Sequence, residues 1–126
     1  KQVEDLFAQA TARDGITGHL HGGFYRPPKP RNAAQQALFD AVAQTGEAIG
    51  LKLEFVDTGG VCEGNNIFAS GVPNVDTLGV MGGRIHSSEE YVIMSSFVER
   101  AQLSGLLLNR FADGRINAKQ IKALME

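Results

Sequence analysis

Gly79-Val80-Met81-Gly82-Gly83-Arg84-Ile85-His86-Ser87-Ser88-Glu89-Glu90-Tyr91-Val92 is the stretch around which the chain is organised. A short apolar run, Val72 to Leu78, precedes it and reads as a buried strand. The chain then loosens into glycines, presents one histidine, adds two acidic residues and continues into a long apolar helix. A strand that ends in a flexible loop can hold an imidazole at the rim of a sheet, where it binds a metal or moves a proton. Taken alone, the pattern more often describes a solvated or hydrogen-bonded loop histidine than a catalytic one.

Two further segments stand in order before it: Thr58-Gly59-Gly60-Val61-Cys62-Glu63-Gly64-Asn65-Asn66 and Gly71-Val72-Pro73-Asn74-Val75-Asp76-Thr77-Leu78-Gly79. With the histidine stretch, these resemble the C-terminal part of the zinc aminoacylase and carboxypeptidase family. That family includes glutamate carboxypeptidases, acetylornithine deacetylase and succinyl-diaminopimelate desuccinylase. The likeness runs from about residue 1 to about residue 114. It implies an α/β fold: the C-terminal part of a zinc-exopeptidase-like α/β/α catalytic domain, preceded by the last helix and strand of an α+β, ferredoxin-like lid domain.

The rest of the chain is compatible with that division. Val3, Leu6, Phe7 and Ala10 recur at helical spacing, and Asp14-Gly15 ends the helix. Ile16 to Tyr25 alternates, with Ile16, Leu20 and Phe24 on one face and Thr17, His19, His21 and Tyr25 on the other. Pro27, Pro28 and Pro30 make a stiff exit, so residues 1–26 are assigned to the end of the lid and 27–114 to the catalytic domain. Ala34, Ala37, Leu38, Ala41, Val42, Thr45 and Ile49 form the stripe of a helix with Asn32 as N-cap and Gly50 as stop. Leu51–Val56 reads as a short strand and residues 65–70 as a short helix. Ser96 with Glu99 spells a capping box for a helix whose Phe97, Val98, Ala101, Leu103, Leu106, Leu107, Leu108 and Phe111 leave little polar face, so deep burial is expected. Residues 115–126 form a helical tail capped by Asn117, with Ile116 placed to staple onto Ile121.

Composition sets bounds. A net charge of −2 argues against an extended nucleic-acid or anionic-membrane surface. No apolar run approaches the roughly 20 residues needed to span a bilayer. A single cysteine, Cys62, permits neither an internal disulfide nor a cysteine-built zinc site. The cytoplasm is the expected compartment, with the periplasm left open. The chain lacks an initiator methionine and opens on a helix, so it is expected to start mid-protein.

The resemblance implies roles for particular residues. His86 is the expected zinc ligand, in a centre of two ions (cobalt or manganese being alternatives), and Glu89-Glu90 reads as a solvated pair beside it. Arg26, on its stiff turn, suits bidentate capture of a substrate carboxylate; a hinge arginine in a surface salt bridge is the equal alternative. Gly59, Gly60, Cys62, Glu63 and Asn65 line the scissile group, although Cys62-Glu63 stands where relatives carry Ser-Asp or Thr-Asp. Cys62 itself has no inferable histidine partner and reads as a small, partly buried side chain. His19 and His21 share a strand face and read as its polar side.

No His-x-Asp segment, bridging aspartate or glutamate base is recognisable. Those residues would lie upstream of Lys1, and the chain alone is expected to hydrolyse nothing. The expected parent is a zinc-dependent amidohydrolase or metallopeptidase, homodimeric through its lid, acting on a small or peptide-like substrate beside a free carboxylate. A non-catalytic binding or assembly module on the same scaffold is the competing expectation. A stand-alone domain would instead cover Leu103 and Leu106 to Leu108 completely.

Overall fold

The stripe predicted over residues 34–49 becomes the central element of the computed structural model, which describes residues 1–125. Helix α1 spans Gln2–Thr11, α2 Ala33–Glu47, α3 Glu63–Ala69, α4 Ser96–Ala112 and α5 Ala118–Ala123. Strands β1 (Gly82–Gly83) and β2 (Tyr91–Val92) pair antiparallel, Gly82 opposite Val92 and Gly83 opposite Tyr91. Among the described residues this is a mostly helical small domain, 44% helix and 3% strand, with one hairpin.

Local chemistry explains the boundaries. Asn32 caps α2 by accepting the Gln35 N–H at 2.9 Å. At the other end Gly50 takes φ +79°, and the Gly50 and Leu51 N–H groups donate back to the Glu47 and Gly46 carbonyls at 3.0 and 2.9 Å. This is the Schellman ending that glycine permits. Asn117 caps α5 through the Gln120 N–H at 3.1 Å. Helix α4 begins otherwise than the capping box predicts. Ser96 lies inside the helix, and its hydroxyl accepts from Met81 N–H at 2.9 Å and donates to the Ile93 carbonyl at 2.6 Å. The side chain that should cap α4 instead ties the hairpin to it.

Packing is concentrated on α2. Leu38 and Val42 meet Leu107 of α4 and Ile116, and Ala41, Leu53, Phe55, Val75, Leu78, Phe111 and Ile121 pack around them. The tail therefore belongs to this core, with Ile116 buried and Ile121 beside it. Phe55 stacks on Phe39 with ring centroids 4.3 Å apart.

Three segments expected to be strands, residues 16–25, 51–56 and 72–78, enter no ladder among the described residues. Leu51, Leu53 and Phe55 alternate half-buried with the exposed Lys52, Glu54 and Val56, so the period of two is present without a neighbour to hydrogen-bond. No residue before Ala34 is buried; Phe24 is 94% exposed. The deep burial expected of α4 holds on one face only, since Leu103 and Leu107 are buried while Phe97, Val98 and Leu108 are open. Complete coverage of the leucine run, the mark of a self-sufficient domain, is not met at Leu108, 69% exposed.

Area measures the shortfall. The chain exposes 9469 Å², whereas a folded monomer of its 13.5 kDa mass exposes ~6,500 Å². The difference exceeds what one partner contributes to an ordinary interface, about 800 Å².

Two substitutions on α4 distinguish its faces. Leu103→Ala should cost about 2–5 kcal/mol in urea unfolding, and Leu108→Ala within about 0.5 kcal/mol.

Candidate functional site

The proline exit, α3 and the segment after it are stitched together by polar side chains. Arg26 donates from Nη2 to Glu63 Oε1 at 2.8 Å. One residue on, the Pro27 carbonyl accepts from Asn65 Nδ2 at 2.9 Å, while Asn65 Oδ1 receives the Cys62 N–H at 3.1 Å. Asn65 is thus satisfied on both sides of its amide and is buried, as such a group must be paired to be.

A second layer lies behind. Lys29 Nζ pairs with the Asp76 carboxylate and donates to Asn74 Oδ1 at 3.1 Å. Asn74 Nδ2 reaches the Gly64 and Val72 carbonyls at 3.0 and 3.1 Å. Gln35 of α2 closes the network by a reciprocal pair: its Nε2 donates to the Asn74 carbonyl and its Oε1 accepts the Asn74 N–H, both at 2.9 Å. Gly64 is required by this crowding, because a Cβ there would overlap Asp76 Oδ1 and come 2.7 Å from Asn74 Oδ1.

Of the residues proposed for substrate, the structure therefore brings Arg26, Cys62, Glu63 and Asn65 to one place. Gly59 and Gly60 precede them in the same loop. A Cβ at Gly59 would meet nothing within 4 Å, and one at Gly60 only Thr58 Oγ1 at 3.9 Å. Neither has a positive φ. Nothing among the described residues demands glycine at either position. Cys62 is half-buried and unpaired with any other cysteine.

The Glu63 carboxyl is held below the usual carboxylate range, first by its own backbone hydrogen bond and then by the Arg26 guanidinium. Desolvation and the negative charge of Asp76 oppose this.

His86 sits at φ +67° in the loop that joins β1 to β2, with Arg84 also left-handed at φ +54°. Such a backbone costs a non-glycine residue about 1–3 kcal/mol and has to be held. Here the hold is local. Arg84 pairs with Glu89, the Ser87 hydroxyl donates to the Arg84 carbonyl at 2.7 Å, and the His86 N–H donates to Glu90 Oε2 at 3.2 Å. Both acids are exposed: Glu90 braces the loop backbone at His86, and Glu89 holds the Arg84 side chain. The imidazole is exposed and has no hydrogen-bond partner among the described residues.

No group of three or more His, Cys, Asp or Glu stands close enough to hold a metal ion among the described residues. A zinc site takes three or four protein ligands, and His86 stands in no such group among the described residues. His19 and His21 lie on the exposed segment with ring centroids 6.1 Å apart.

Lys29, Gln35, Asn74 and Asp76 were not singled out by sequence reasoning. The signals were the lysine held between Pro28 and Pro30, and the two polar positions inside the apolar run 72–78. No family model, curated protein or solved structure matches the chain. No helix among the described residues is long and apolar enough to cross a membrane.

Three changes test this geometry. Gly64→Ala should destabilise by about 1–3 kcal/mol through overpacking against Asn74 and Asp76, measured by urea unfolding. His86→Gly should leave stability unchanged or raise it by up to about 1 kcal/mol, because glycine relieves the left-handed strain. Since the folded-state pKa of Glu63 is depressed, its stabilising contribution is present above the ordinary glutamate pKa and is lost as pH falls through the folded value. Glu63→Gln should accordingly flatten the acid limb of the stability profile below about pH 4.5.

Proposed function

We propose that this chain is the C-terminal portion of a zinc metallohydrolase, a peptidase or deacylase that cleaves an amide bond next to a free carboxylate, as glutamate carboxypeptidases do. The observation that carries the reading is the meeting of Arg26 with the Cys62–Asn65 loop. Residues far apart in sequence share one polar cluster, in which Arg26 is the group suited to a carboxylate. Unforced glycines at 59 and 60 leave backbone N–H groups approachable beside it.

In this reading the finer architecture is that of a zinc-exopeptidase-like α/β/α domain, with residues 1–26 the end of a lid. Segments 51–56 and 72–78 would be strands of a sheet whose remaining members precede Lys1. The unladdered alternation of Leu51–Val56 and the exposed side of α4 support this. Lid-mediated homodimerisation and a cytoplasmic location belong to the same proposal.

Arg26 binds the substrate carboxylate, a task its planar fork of N–H donors fits. Asn65 fixes the Pro27 carbonyl and the Cys62 amide together, so that the arginine and the loop keep one relative position. His86 contributes one imidazole to the metal from a backbone held ready by Arg84, Ser87 and Glu90. When bound, zinc supplies an activated water and polarises the amide carbonyl. This chain by itself contains no recognisable base for the reaction and is expected to be inactive.

The open surface equally suits a non-catalytic assembly module, and metal content separates the two. Protein that includes the sequence preceding Lys1 should hold about two zinc ions per chain, and His86→Ala should lose about one of them, read by elemental analysis. Uptake of no zinc by the extended protein would refute the enzyme reading.

A further inference from the structure

The geometry points to Glu63 as the residue that sets what Arg26 accepts: it occupies the guanidinium as an internal carboxylate, and a ligand carboxylate binds by displacing it. This rests on the carboxylate-binding reading of Arg26 and adds to it a competitor built into the same site.

The contact is open to exchange. It consists of one hydrogen bond, Nη2 to Oε1 at 2.8 Å, between side chains 39% and 80% exposed. An arginine offers five N–H donors, and no other bond from Arg26 forms among the described residues. An exposed single-point ion pair is weak, whereas a carboxylate that engages two parallel N–H groups gains more in both energy and direction. The incoming anion therefore has a better mode available than the one Glu63 uses.

The backbones, by contrast, are fixed. Asn65 holds the Pro27 carbonyl, Lys29 is anchored by Asp76 and Asn74, and Gly64 is wedged against the same pair. Exchange at Arg26 thus needs only the Glu63 side chain to swing outward. Side-chain length matters as well: an aspartate would be one methylene shorter and, from this same helical position, would hold the arginine less closely. Once displaced, Glu63 remains within range to repel a second negative charge, and Asp76 adds to that field. The site should therefore seat one carboxylate of the ligand on Arg26 and hold any second negative charge away from Glu63 and Asp76.

The test titrates the full chain with N-acetylglycine, and with its neutral amide as control, following backbone amide resonances at low ionic strength. Glu63→Gln, nearly isosteric, should bind N-acetylglycine about two- to five-fold more tightly than the unaltered chain, the range an exposed ion pair can supply. Glu63→Asp should fall between them, Arg26→Ala should lose binding while keeping its spectral dispersion, and the amide should not bind. Equal or weaker affinity in Glu63→Gln, or no saturable binding in it, would overturn the competition. Undiminished binding in Arg26→Ala would overturn the carboxylate reading of Arg26 itself. Loss in Arg26→Ala with no gain in Glu63→Gln would leave that reading standing and remove only the role given to Glu63.

Discussion

Backbone amides and carbonyls must be hydrogen-bonded or wet, and in this chain that constraint falls on α2 and the extended segments laid against it. Helix α2 satisfies its own groups and offers Leu38 and Val42 as the floor of the core. Leu53, Phe55, Val75 and Leu78 come down on that floor from segments that have no ladder. Their side chains are half satisfied by burial while their main chains enter no ladder among the described residues. Everything else follows from that imbalance: a small core, one covered face on α4, and an area well above that of a closed monomer of this mass.

Polar side chains do part of the work that a sheet would otherwise do. Gln35 reads the backbone of Asn74 as a neighbouring strand would, taking its N–H and giving one back to its carbonyl. Asn65 and Lys29 then fasten the proline exit to the same place. The candidate substrate cluster is therefore tied by side-chain hydrogen bonds to α2 and to segment 72–78. Its position does not depend on the exposed segment before residue 26. The histidine loop is built differently, from short local bonds around a left-handed backbone, and its link to the rest is the Met81–Ser96 bond at the foot of the hairpin.

Sequence reading was most accurate where one residue's chemistry decides the outcome. Asn32 and Asn117 cap as their side chains allow, Gly50 stops α2 through its positive φ, and Ile116 joins the core beside Ile121. Reading failed where the outcome depends on a partner. Residues 51–56 read as a strand and do alternate half-buried with exposed, but pairing is a property of two strands and cannot be read from one. Ser96 carried the right residue type for a cap and was drawn away by Met81, a contact with no local signal. Arg26 and Glu63 were each legible as candidates, yet nothing in the spacing of residues 37 positions apart announced their meeting.

The proposal that segments 51–56 and 72–78 are strands of a larger sheet is tested most directly by amide hydrogen exchange. Backbone amides of Leu51–Val56 should exchange rapidly in this chain while those of Leu38–Val42 in α2 are protected. On that proposal, a protein extended upstream of Lys1 should slow the former to the level of a sheet interior. Slow exchange of Leu51–Val56 in the present chain, or no added protection in the longer one, would contradict the account.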